Sequence, residues 1–149
     1  MSGSIDPVVI LLVEDNPDHT ELITRVLNDH RIPNRIIHVA DGEAALHYLR
    51  RQAPYTDPET NPSPHIVLLD LQLPRLGGLE VLQAIKTDPT FRHLPVVIVT
   101  TSRMESDIRL AYQFHANSYL VKPVDFEQFI RMMNDLGDYW LEWNQVLHA

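Results

Sequence analysis

HIVLLDLQLP, residues 65–74, is the stretch around which the chain is organised. Ile66, Val67, Leu68 and Leu69 are apolar without alternation, the pattern of a strand covered on both faces. Charge enters only at Asp70. Pro74, Gly77 and Gly78 then break the pattern, which puts Asp70 at a strand-to-loop transition. In open parallel sheets, ligands bind outside the carboxyl ends of the strands. An Asp in that place can equally cap a turn or the following helix. The other strand ends decide between the two readings.

Upstream, VVILLV at residues 8–13 is a second continuous apolar run, read as another central strand, and it ends on Glu14 and Asp15. Asn16-Pro17-Asp18 carries helix-start chemistry. Leu22, Ile23, Val26 and Leu27 follow at helical spacing, predicting an amphipathic helix to about His30. Ile32-Pro33-Asn34 ends it, residues 36–39 form a short strand, and Asp41-Gly42 opens a helix through Ala44, Ala45, Leu46 and Leu49. PYTDPETNPSP, residues 54–64, has four prolines among polar residues and reads as a surface loop without a core of its own. Its length suits either a contact surface or a mobile connection, and the latter is the plainer reading.

Downstream, residues 78–87 read as a helix through Leu79, Val81, Leu82 and Ile85, and LPVVIV at 94–99 as a fourth strand ending on Thr100, Thr101 and Ser102. A helix over 105–115 precedes a fifth strand, SYLV at 118–121, which ends on Lys122-Pro123. Asp125 caps a last helix with Phe126, Phe129, Ile130, Met133 and Leu136 on one side. Strands alternating with helices imply an α/β fold: a doubly wound, five-stranded parallel (βα)5 sheet with helices on both faces.

At 149 residues the chain is expected to form a single domain, 1–149, with a core over about 8–136 and an aromatic extension over 137–149. A net charge of -8 argues against nucleic acid or an anionic membrane as a direct partner. The absence of cysteine excludes disulfides and thiolate metal sites. No signal-peptide pattern opens the chain and its apolar runs are too short to span a bilayer, so a cytoplasmic location is expected.

Four strand ends therefore carry chemistry on one sheet edge: Glu14 with Asp15, Asp70, Thr100 and Lys122. Crowded carboxylates raise one another's pKa unless a cation neutralises them, and hard oxygen donors in this number suit Mg²⁺. One carboxylate can act as a nucleophile toward phosphorus, with Lys122 and the metal balancing the phosphoryl oxygens and Thr100 donating a hydrogen bond. Singly, each residue has a plainer reading: a solvated lysine, an ordinary β-branched residue, an acidic helix-capping pair. Together, on four strand ends, they do not.

At this point the chain resembles response-regulator receiver domains, the phosphoacceptor half of two-component signalling. The motifs are VEDNPD at 13–18, LLDLQLP at 68–74, VVIVTTS at 96–102 and YLVKP at 119–123. The resemblance implies a flavodoxin-like fold in which Asp70 is phosphorylated by a sensor histidine kinase. Glu14, Asp15, Asp70 and the Gln72 backbone carbonyl would hold Mg²⁺, with Mn²⁺ as a substitute. Thr100 would be the switch hydroxyl, Lys122 the phosphate-binding lysine, Tyr119 the aromatic that reports the state, and Lys122-Pro123 a cis peptide. Gly77-Gly78 replaces the usual Asp-Gly, Thr101 is bulkier than the common Ala or Gly, and Gln72 and Ser102 leave the phosphate lifetime open.

Trp140, Leu141, Trp143, Val146 and Leu147 make the tail costly to leave in water, so it either packs back or forms an interface. The long proline-rich loop and this tail are similar to stand-alone regulators paired with bacterial phytochromes, in which the last helix and tail support homodimers. Three competitors remain: a Mg²⁺-dependent phosphohydrolase, which wants an Asp where Gln72 stands; a flavin carrier, whose phosphate Glu14 and Asp15 would repel; and a degenerate receiver acting as an interaction module, although no pocket residue is missing.

Overall fold

Successive residues of the central strands face opposite sides of one sheet, and both sides are covered. In a computed structural model that describes residues 6–147, the elements are β1 (Val8–Val13), α1 (Pro17–Asn28), β2 (Asn34–Val39), α2 (Gly42–Leu49), β3 (Ile66–Leu69), α3 (Gly78–Thr87), β4 (Val96–Thr100), α4 (Glu105–Gln113), β5 (Ser118–Val121) and α5 (Phe126–Gly137). Leu11, Val13, Val67 and Leu69 lie in a core shared with Ala45, Val81, Leu82 and Ala111 of α2, α3 and α4. Ile10, Leu12, Ile66 and Leu68 lie in another with Leu22, Ile23 and Leu27 of α1 and Phe129 and Met133 of α5. That two-sided burial is why β1 and β3 show no polar alternation.

All pairings are parallel, in the order β2-β1-β3-β4-β5. The order reverses between β1 and β3, and such a switch point opens a crevice at the carboxyl ends of the two strands. The expected doubly wound (βα)5 fold is the observed one, and no helix among the described residues is long and apolar enough to cross a membrane.

Some boundaries differ from the sequence reading. The fourth strand begins at Val96 because Pro95 lacks an N–H, although its carbonyl accepts from the Val67 N–H at 2.9 Å. It also takes in Thr100, which pairs with Val121. α1 stops at Asn28, two residues before His30, and α4 at Gln113, with His115 turned into the left-handed region at φ 69.

Loop 54–64 is tied down. The Tyr48 hydroxyl donates to Pro62 O at 2.6 Å, Arg51 donates to Asn61 O and Ser63 Oγ, and Arg35 reaches Thr60 O. Tyr55 meets Tyr48 edge-on at 5.2 Å. The cis peptide among the described residues is Ala53–Pro54. Lys122–Pro123 is trans, correcting the expectation of a cis bond there. Trans is the intrinsic preference of X–Pro bonds, and with it the Lys122 N–H still closes on Thr100 O at 2.7 Å.

The tail continues α5 without a break, as a π-helical stretch over Asp138–Trp143. Gly137 allows the junction: a Cβ there would lie 3.2 Å from a Leu27 methyl and 3.3 Å from the His30 ring. Leu141 is buried, and Trp140 and Val146 pack against the α1–α5 core. Trp143 and Leu147 point outward, 73% and 87% exposed. His30 Nε2 bonds Asp138 Oδ1 at 2.9 Å, and Arg31 pairs with Glu142, fastening the tail to the end of α1.

Candidate functional site

The ladder sets the positions. Val13 is level with Leu69, and Leu69 with Ile98, so the next residues, Glu14 and Asp70, leave adjacent strands side by side. Asp70 N–H still donates to Val13 O at 3.0 Å, and Glu14 N–H to Val39 O at 3.1 Å, so both backbones are held to the last rung. Lys122 follows Val121, the partner of Thr100, one strand further on.

Glu14, Asp70, Thr100 and Lys122 are all buried. Lys122 Nζ lies 2.5 Å from Glu14 Oε1 and 2.9 Å from Asp70 Oδ2. Glu14 also accepts from the Asn16 N–H, and Asp70 Oδ1 from the Gln72 N–H at 3.1 Å. Burial pushes Glu14 up to about 7, outweighing the Lys122 hydrogen bond and charge, with the Asp70 charge adding to the rise. Asp15 is exposed, yet one carboxylate oxygen each from Glu14, Asp15 and Asp70 lie within 4.8 Å of one another.

With all three ionised, three carboxylates face one ammonium, leaving two negative charges in a space lined by oxygen. That donor set, free of His and Cys, fits a hard divalent cation such as Mg²⁺ or Mn²⁺. Glu14, Asp15 and Asp70 are the side chains that could hold it.

Around this pocket the β4–α4 segment forms its own network. The Thr100 Oγ1 accepts from Ser102 N–H at 3.4 Å, and Tyr119 donates its hydroxyl to Ser102 O at 3.0 Å. Ser102 Oγ donates to Asp107 Oδ2 at 2.5 Å and accepts from Met104 N–H, tying the start of α4, which has no side-chain cap of its own, to the loop after β4. Thr101 Oγ1 donates to Gln72 Oε1 at 2.9 Å, bridging the loops that follow β3 and β4. Burial raises the Tyr119 phenol, against the lowering effect of its bond to Ser102.

Glu14, Asp15, Asp70, Thr100 and Lys122 thus sit at the same sheet edge, while Tyr119 lies within β5, level with Ile98. The tail residues are elsewhere, and of those only Trp143 and Leu147 face outward strongly. Sequence reasoning missed Gly78, where a Cβ would lie 2.2 Å from Asp70 O and 2.5 Å from Leu71 Cα. It also missed His38, whose Nε2 bonds Glu14 O at 2.7 Å, and His19, which meets Lys122. For the glycine, the Gly-Gly pair was the available signal. For the histidines there was none, because their contacts cross between distant segments.

Comparison with known proteins agrees with this geometry. The model of the response regulator receiver domain matches residues 10–134. The chain is 45% identical over 140 residues to the probable methanogenesis regulatory protein FilR2 of Methanothrix harundinacea, covering 94% of this chain and 88% of that one. It is 40% identical over 136 residues to the response regulator Rcp1 of Synechocystis sp., covering 91% and 90%. The Mn²⁺-bound crystal structure of Rcp1 superposes with a TM-score of 0.90 at 38% identity, over 95% of this chain and 99% of that one. The phosphorylated cyanobacterial phytochrome response regulator RcpA gives 0.89 at 35% identity, with the same coverage. The family is one of signalling proteins rather than catalysts. The chain belongs to the response regulator receiver domain family of two-component systems, with phytochrome response regulators among its relatives.

Proposed function

We propose that the protein is a phosphoacceptor response regulator, taking a phosphoryl group on Asp70 from a sensor histidine kinase. The observation that carries this reading is Lys122 Nζ, buried between Glu14 and Asp70 and 2.9 Å from the accepting carboxylate. A carboxylate oxygen of Asp70 would form the bond to phosphorus as the bond from phosphorus to the kinase histidine breaks, the nitrogen leaving with its electron pair. A bound Mg²⁺ or Mn²⁺ would supply charge neutralisation for the phosphoryl oxygens. Lys122 stands beside the new negative charge, and the Thr100 hydroxyl, now accepting from Ser102 N–H, would turn to donate to a phosphoryl oxygen. That turn disturbs Ser102, whose carbonyl holds Tyr119 and whose hydroxyl holds the start of α4. The face of α4, β5 and α5 then responds to the phosphorylation state.

Placement in the cytoplasm, without direct contact to nucleic acid or membrane, is part of the same reading, and the net charge of -8 supports it by disfavouring polyanionic partners. A phytochrome-type kinase is the partner favoured by the likeness to Rcp1 and RcpA. A homodimer through the last helix and tail is supported by the outward Trp143 and Leu147. The domain reading also stands as proposed: one receiver with a core over about 8–136 and an extension from 137. The degenerate receiver and the phosphohydrolase lack an observation in their favour, since the pocket is complete and Gln72 occupies the second position the latter needs.

Transfer from an autophosphorylated phytochrome-type kinase tests the reading. Label should move to the parent protein and not to Asp70→Asn. Labelling by acetyl phosphate without transfer from that kinase would remove the phytochrome pairing and keep the phosphoacceptor; no labelling from either donor would remove both.

A further inference from the structure

An ammonium has three N–H donors and no acceptor. Two donors of Lys122 go to Glu14 and Asp70; the third meets His19 Nδ1 at 3.0 Å. Because the ammonium only donates, Nδ1 accepts, and the network assigns the ring proton to Nε2. His19 lies in the first turn of α1, half-buried, with its ring edge-on to Phe129 of α5 at 5.4 Å. Contact with Phe129 alone would be met by any large apolar side chain. The nitrogen facing Lys122 would not.

We propose that His19 is a positioning residue for phosphoryl acceptance, holding the Lys122 ammonium at Asp70 through its Nδ1 hydrogen bond. This rests on the phosphoacceptor reading of Asp70. Lysine ends a flexible four-carbon stem as a point charge, so its place is set by its partners. Glu14 makes the shorter contact, 2.5 Å against 2.9 Å for Asp70, and with only these two partners Nζ is free to shift toward Glu14. The third bond fixes the ammonium on three sides. It also links the pocket to α5 through the ring contact of His19 with Phe129.

The charged groups acting on His19 are Lys122, Asp70, Asp18 and Asp15, and from α5 it meets the uncharged Phe129. Burial first, then the Lys122 charge, hold its pKa below the ordinary value despite the three aspartates. The ring is therefore a neutral acceptor near pH 7. In acid, a protonated Nδ1 would face an ammonium and the contact would be lost.

Rates of phosphoryl uptake from acetyl phosphate with Mg²⁺, followed by intact mass, test the proposal on parent, His19→Leu, His19→Asn and Asp70→Asn. His19→Leu should be slower by about tenfold, the scale of one hydrogen bond to a charged group. His19→Asn, whose Oδ1 can stand where Nδ1 stood, should remain within about threefold of the parent. Parent uptake should also fall in acid more steeply than that of His19→Asn, since only the parent loses its acceptor. Equal rates for parent and His19→Leu, or equal losses in both His19 variants, would overturn the proposal while leaving Asp70 as acceptor. Should His19→Leu fail to fold, superimposable pH profiles of the parent and His19→Asn would overturn it alone. No adduct on the parent would bring down the Asp70 reading, and this one with it.

Discussion

Glu14 is the side chain in which burial and charge conflict most directly. Its folded-state pKa of about 7 lies above the ordinary 4.5, so the native protein holds this proton more tightly than the unfolded chain. Between those values the native state binds more protons, and stability falls as pH rises. Urea titrations of the metal-free protein should show that decline through the window, and Glu14→Gln should flatten it. Lys122 poses the complementary problem. Lys122→Met leaves two buried carboxylates without their counter-charge, and breaking a buried pair in this way costs about 3 kcal/mol or more. Denaturant unfolding without metal should record that loss, and added Mg²⁺ should recover part of it.

At the scale of elements, the loop after β3 depends on Gly78. A Cβ there meets the Asp70 carbonyl and Leu71 Cα, both backbone, so neither can swing aside. Gly78→Ala should destabilise by about 2 kcal/mol, the range of overpacking, and slow phosphoryl uptake by displacing Asp70. Asn16 has a simpler task, capping α1 by accepting from Asp18 N–H and His19 N–H at 2.9 and 3.2 Å. Asn16→Ala should cost about 1 kcal/mol in unfolding experiments. Most elements were legible because β1 and β3 are buried on both faces and α1 and α5 begin with recognisable caps. The spans of β1, α3 and β5 match the sequence reading. What local pattern could not supply was the reach of side chains between segments. The fastening of loop 54–64 by Tyr48, Arg51 and Arg35, and the Thr101–Gln72 bridge, arise only once separate segments are brought together. The expectation of a cis bond at Lys122–Pro123 came from resemblance alone, and it did not hold.

Over the whole molecule, the tail divides its apolar residues between two tasks. Leu141 fills the α1–α5 core, so Leu141→Ala should cost about 2–4 kcal/mol. Trp143 makes no such contribution, and Trp143→Ser should leave stability within about 0.5 kcal/mol while weakening any self-association seen by sedimentation. The sequence left the tail open between packing back and forming an interface; the π-helical continuation of α5 directs some residues inward and others outward. The pocket needed no such resolution, because four strand ends on one edge already grouped its members. All of this converges on the carboxylate of Asp70. Treating the protein with acetyl phosphate and Mg²⁺, then with borohydride, reduces an aspartyl phosphate to homoserine and marks the acceptor in the peptide map. Homoserine at position 70, absent without phosphodonor, is the predicted result; homoserine at position 15, or at no position in a folded, Mg²⁺-binding protein, would contradict it.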